Sequence, residues 1–210
     1  MQKPNGYDEA QAGGEFTPVD LGGHYAIVKQ VGERKSSTGK DMIVVLFDFI
    51  LPDKQPGYFS EEFKNDTRQD KKWPYQGSMY ILVNDYNDHQ KTSRSFKTFC
   101  TCVEKSNNYT IQWGGGSWAQ QFKNKKIGVV FGEVENEYEG NISMRRNARW
   151  FCAWDKVKEA NIPAPKYLNG SGPAAPTNNA PNTTDTTTKS DTGIDGFLNL
   201  PEGCDDEIPF

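Results

Sequence analysis

Residues 41–51, DMIVVLFDFIL, hold nine apolar side chains and two aspartates, with no glycine or proline before Pro52. A short run this rich in Val, Ile and Phe predicts a strand rather than a helix. Side chains alternate along a strand, so Phe47 and Phe49 share one face and Val44 and Leu46 share the other. One of these faces must be core; the pattern does not say which.

Other stretches are of the same kind. Residues 24–31 (HYAIVKQV) and 78–83 (SMYILV) predict two more strands. Residues 127–138 and 144–157 predict a hairpin turning at 139–143. Residues 32–40 form a basic, turn-rich loop, and YFSEEF (58–63) precedes a charged loop at 64–72. Residues 92–106 predict a helix, with Phe96, Phe99, Cys100 and Val103 at helical spacing and Thr92 or Ser93 as its cap. Residues 118–126 add a further helical turn or two.

Strand, strand, strand, helix, strand, strand is an order that fits a mainly β fold: a five-stranded oligonucleotide-binding (OB-fold) barrel with one helix between strands three and four. An SH3-like barrel or a small sandwich is the alternative, and neither so naturally places a helix there. Gly128 and Gly132 are expected to relieve crowding where barrel strands bend.

Composition changes abruptly after Leu168. Residues 169–193 are nearly all Asn, Gly, Ser, Pro, Ala, Thr and Asp, with no aromatic residue. Such a segment buries too little apolar surface to offset the entropy of ordering. The chain therefore divides into a loose lead-in at 1–14, a folded body at 15–168, a disordered linker at 169–196 and an acidic tail at 197–210. Residues 194–200 (IDGFLNL) form a small apolar island that either widens a partner footprint or is incidental.

The net charge of −4 hides an asymmetry. Residues 170–210 carry one base and seven acids, a charge of −6, whereas residues 1–169 carry 23 bases and 21 acids, a charge of +2. A slightly basic body beside an acidic tail allows contact with a polyanion despite the acidic whole. No run reaches the length of a membrane span, and Met1 opens a polar stretch rather than a signal peptide, so a cytoplasmic protein is expected. Of the four cysteines, Cys100, Cys102 and Cys152 lie among aromatic and β-branched residues and read as small core residues. With no C-x-x-C pair and no histidine at finger spacing, neither a metal nor another cofactor is expected.

Single strands of nucleic acid are held by cations along the backbone and by aromatic rings under the bases. Lys71, Lys72, Trp73 and Tyr75 interleave both groups in one loop, where a tryptophan is less expected to be core. Arg34, Lys35 and Lys40 lie between strands one and two, a loop that OB barrels use for binding; solvated turn residues are the alternative. Trp113 and Trp118 flank a run of three glycines and either stack on a ligand or plug the barrel's end. The non-core face of strand 41–51 is a further place for bases. In the last strand Trp150, Cys152 and Trp154 are expected to be core. Arg146 is a candidate phosphate contact, whereas Arg145 and Arg149 are expected to pair with Glu133, Glu135, Glu137 and Glu139 across the hairpin.

That glutamate row also suits a metal-dependent nuclease, but a row along one strand is more often a solvated face. Residues 34–41 lack the first glycine and the Ser or Thr of a phosphate loop, and no G-x-S-x-G, H-E-x-x-H or dinucleotide fingerprint occurs. No enzyme is expected.

The last six residues are Asp205, Asp206, Glu207, Ile208, Pro209 and Phe210. A terminal ring and carboxylate on one residue, beside a proline that stiffens the approach, suit a shallow apolar pocket with a basic rim. DDEIPF resembles the tail of bacterial single-stranded DNA-binding proteins, which usually ends Asp-Asp-Asp-Ile-Pro-Phe; Glu207 departs from it while keeping the charge. The body lacks the N-terminal pattern of the housekeeping members and looks more like a divergent version, as in phages or mobile elements. The resemblance implies a non-catalytic protein that coats and protects single-stranded DNA. It also implies recruitment of replication, recombination and repair proteins through the tip, leaves an oligomer open, and involves no membrane. The alternative is a replication or recombination accessory adaptor that docks through the tail and whose body binds protein.

Overall fold

A computed structural model describes residues 2–5, 7, 17–116 and 118–168. The linker and the acidic tail, including the six terminal residues, lie outside the described residues, as does most of the lead-in. The described body is mainly β. Five strands, β1 (Gly22–Lys35), β2 (Asp41–Phe49), β3 (Ser78–Leu82), β4 (Lys126–Tyr138) and β5 (Asn141–Cys152), form one antiparallel sheet in the order β3-β2-β1-β4-β5. Helix α1 (Tyr58–Asn65) lies between β2 and β3, and α2 (Arg94–Asn107) lies between β3 and β4. Short 3-10 turns occupy Tyr75–Gly77, Trp118–Phe122 and Trp154–Glu159. Among the described residues no helix is long and apolar enough to cross a membrane.

β3 and β5 are the two sheet edges, and no ladder joins them. They approach where Gln76 Nε2, just before β3, donates to the Arg146 carbonyl of β5 at 2.8 Å. Two bulges bend the sheet around its core. One falls at Lys29, between Val28 and Gln30 in β1. The other interrupts the β4–β5 ladder at Arg149, opposite Val130 and Phe131. Each puts two side chains three residues apart on the core face: Val28 with Val31, and Ala148 with Phe151.

The second bulge overturns the expected core of the last strand. Phe151 and Ala153 are buried, whereas Trp150, Cys152 and Trp154 are only half-buried. The strand also ends at Cys152, since Trp154–Glu159 coils into a 3-10 turn. The first strand runs longer than expected, to Lys35, so Arg34 and Lys35 belong to its end and the loop shrinks to residues 36–40.

The core-facing row of β2 is Ile43, Val45, Phe47 and Phe49. The opposite row of Met42, Val44 and Leu46 is buried as well, so β2 offers no open platform for bases. Phe47 meets Phe151 of β5 at 6.0 Å, and Phe151 meets Phe99 of α2 at 5.2 Å. One set of rings therefore joins β2, β5 and α2 in a single core.

Asp48, buried on β2, organises α1. Its carboxylate accepts from the Phe59 N–H at 3.0 Å, the Ser60 N–H at 3.3 Å and the Ser60 hydroxyl. The α1 N-cap is Gly57, which has no side chain to offer, so Asp48 caps the helix from the strand. In α2 the Ser93 hydroxyl accepts from the Phe96 N–H at 3.1 Å, and Phe96, Phe99, Cys100 and Val103 face the core.

Beyond β5 the chain folds back along β4. The Lys166 N–H donates to the Glu133 carbonyl at 3.0 Å, and the Glu135 N–H donates to the Lys166 carbonyl at 2.8 Å. Gly132 makes room for this return, and Gly128 for the Cys152 side chain of β5. A Cβ at Gly132 would lie 2.3 Å from Pro163 Cγ, and one at Gly128 would lie 2.5 Å from Cys152 Sγ.

His24 is buried against Phe49, ring on ring at 4.3 Å. Its Nδ1 lies 3.2 Å from Asp53 Oδ1 and its Nε2 lies 2.9 Å from the Asp20 carbonyl. Burial pushes the Asp53 carboxyl up, but the His24 hydrogen bond, the Gln55 and Tyr25 N–H groups and the His24 charge outweigh it. Asp53 is held below the ordinary carboxylate value.

Candidate nucleic-acid interface

The ends of β1 and β2, one face of α2 from Phe96 to Glu104 and the glycine loop after residue 112 line a cleft of about 710 Å³. This is within the range of ligand sites. Arg34, Trp113 and Trp118, far apart in sequence, meet on its lining. Trp113 is 65% exposed and stacks on Trp118, with ring centroids 5.7 Å apart and planes 26° apart. Trp118 in turn packs on Phe96 at 5.7 Å and edge-on to Phe122 at 4.7 Å. Trp118 packs against the core, and Trp113 shows its ring to solvent. Gly114 (φ 83°) and Gly115 (φ 115°) turn the loop through conformations that side-chain-bearing residues rarely adopt.

Lys97 and Glu104 of α2 also line the cleft, and neither was singled out from sequence. The signal was there: positions 97, 100 and 104 fall on one face of the predicted helix. Cys100 lies at the floor. Burial first, and then the Glu104 charge, push its thiol up to about 12, so it stays neutral and acts as a small apolar side chain. Burial first, and then the Asp155 charge among others, raise Cys102 and Cys152 to about 11 and about 12.

An aromatic–cation pair sits at the β1–β2 turn. Lys40 Nζ lies 3.3 Å from the centroid of the Tyr86 ring and donates to the Tyr86 carbonyl. Tyr86 is exposed and was missed because the loop before α2 carries no patterned signal. Lys35 is engaged with Asp41 at 2.6 Å.

The Lys71–Tyr75 stretch is built differently from its sequence reading. Trp73 is a structural prop: its indole N–H donates to the Gly77 carbonyl at 2.9 Å, and its ring packs on Phe63 and the core cluster. The 3-10 turn at Tyr75–Gly77 folds the loop back and sets Gly77 against that indole. Lys71 donates to the Lys64 carbonyl at 3.2 Å, and Lys72 forms no ion pair among the described residues. Tyr75 is 58% exposed and stacks on Tyr80 at 6.2 Å. Tyr80 lies opposite Val44, on the face turned away from Phe47 and Phe49.

Arg146 is tied into the fold. Its guanidinium donates to the Val19 carbonyl at 2.6 Å, while its own carbonyl receives Gln76. Expected pairing of Arg145 and Arg149 with the glutamate row does not form. The register sets Arg145 opposite Val134, and the bulge turns Arg149 toward the Glu133 and Ala164 carbonyls at 3.1 and 3.3 Å. Burial lowers the Arg149 pKa. Among the described residues no three His, Cys, Asp or Glu side chains converge as a metal site.

No protein-family model matches the chain, and comparison with curated proteins finds no match.

Proposed function

We propose that the chain is a non-catalytic, cytoplasmic single-stranded DNA-binding protein whose body grips unpaired strands and whose DDEIPF end recruits replication, recombination and repair proteins. Trp113 carries this reading. A tryptophan left 65% exposed, held face-on by a second tryptophan at the mouth of a cleft with Arg34 and Lys97, suits a ring that stacks on a base. The Tyr75–Tyr80 stack and the Lys40–Tyr86 pair are two further stations of the same chemistry.

The sheet order supports an OB-type scaffold. β1 pairs with β2 and β4, β2 with β3, and β4 with β5, with a helix between β3 and β4; an OB barrel open between β3 and β5 has these neighbours. Lys40 then falls in its β1–β2 loop, Lys35 at the strand end beside it, and Tyr80 on its β2–β3 face. Titrating the full chain with oligo-dT tests the reading. Strong quenching of tryptophan fluorescence is expected, and an unchanged spectrum at micromolar strand would overturn it.

A further inference from the structure

The cleft beside Trp113 is not lined as a groove for phosphates alone would be. Three carboxylates, Glu33, Asp41 and Glu104, face two cations, Arg34 and Lys97. A surface that tracks a phosphate backbone gains from uniform positive charge. A lining with an excess of carboxylates beside exposed rings complements hydrogen-bond donors on an aromatic ligand.

Two of the carboxylates have acceptor capacity to spare. Asp41 is held by Lys35 at 2.6 Å. Glu104 receives the Ile111 N–H on Oε1 at 3.0 Å, and among the described residues that is the one hydrogen bond its carboxylate accepts. Glu33 forms no ion pair among the described residues. The floor is core: Ile43, Phe96 and Cys100 are nearly fully buried yet line the cleft. Lys97, also without an ion pair among the described residues, stands on the same wall.

We propose that this cleft takes up a single nucleotide of the bound strand and prefers bases that carry an exocyclic amino group, cytosine before thymine. The base lies against Trp113, its amino group donates to Glu104 or Glu33, and its phosphate meets Lys97. Carboxylates accept from the cytosine N4 amino group. Thymine presents a carbonyl oxygen at that position, which a carboxylate repels. Cytosine and thymine are both pyrimidines with similar ring faces, so the preference reports the polar edge.

The subsite rests on the single-strand reading, and one experiment separates their failures. The affinity of the full chain for labelled oligo-dC and oligo-dT of equal length is measured by anisotropy, with the melting temperature of each variant alongside. About ten-fold tighter binding of oligo-dC is expected. In the Glu33→Gln/Glu104→Gln double variant the ratio should fall to near one; glutamine at 104 can still accept from the Ile111 N–H. Glu33→Gln alone, at an exposed position, should lower the ratio in part and covers the case in which the double variant does not fold. Binding of both strands with a ratio of one in the wild type, or a ratio untouched in a folded double variant, removes the subsite and leaves strand binding standing. Binding of neither strand removes both.

Discussion

Replacing Trp113 with alanine separates a surface ring that binds from one that merely packs. The ring is 65% exposed and meets Trp118 at 5.7 Å and, more distantly, Phe96 at 6.3 Å, so its removal should cost the fold little. An aromatic pair is worth about 0.5–1.5 kcal/mol beyond burial, and an exposed one sits at the low end. If the ring stacks on a base, its loss should weaken strand binding by about 1–3 kcal/mol, roughly five- to 150-fold in Kd. Trp73→Ala supplies the contrast. That indole packs on the core cluster and donates to the Gly77 carbonyl, so its truncation should lower stability by about 3 kcal/mol. Anisotropy with a labelled oligo-dT, beside thermal melts of both variants, reads the two effects apart. A Trp113→Ala protein that melts and binds like the wild type would refute the stacking role.

Gly132→Ala should lower stability by about 1–3 kcal/mol in a thermal melt, because its Cβ would fall 2.3 Å from Pro163 Cγ. Asp53 is held below its ordinary value in the folded chain, so its contribution to stability is present above about pH 4 and is lost as pH falls through the folded value. Asp53→Asn should therefore flatten the acid side of the stability–pH curve, read by urea melts between about pH 2 and pH 6. Removing residues 197–210 strips most of the −6 tail charge and should tighten oligo-dT binding at low salt; unchanged affinity would show that the tail does not compete for the basic surface.

Secondary structure was legible where residue type or apolar spacing carried it. The strand at β2 and the helix at α2 follow directly from residues 41–51 and from the Phe96, Phe99, Cys100 and Val103 spacing. The face assignment of the last strand was not legible, because a bulge at Arg149 breaks the alternation that any strand reading assumes. Helix α1 was missed because its cap is Asp48, ten residues before Tyr58 on another element.

The cleft was half legible. Arg34, Trp113 and Trp118 stood out by residue type, but Lys97 and Glu104 acquire meaning only when α2 packs beside the β1–β2 end. Trp73 shows the converse error: a tryptophan between lysines in a loop looked displayed, yet Gly77 lets the loop fold back and cover it.

A competition between one labelled strand and the same sequence, unlabelled, as single strand and as duplex tests the central claim most directly. Exposed rings stack only on bases that are not already stacked in a helix. The unlabelled single strand should displace the label at far lower concentration than the duplex, with affinity falling as salt rises. Equal displacement by the two, or no binding of the labelled strand at all, would contradict it.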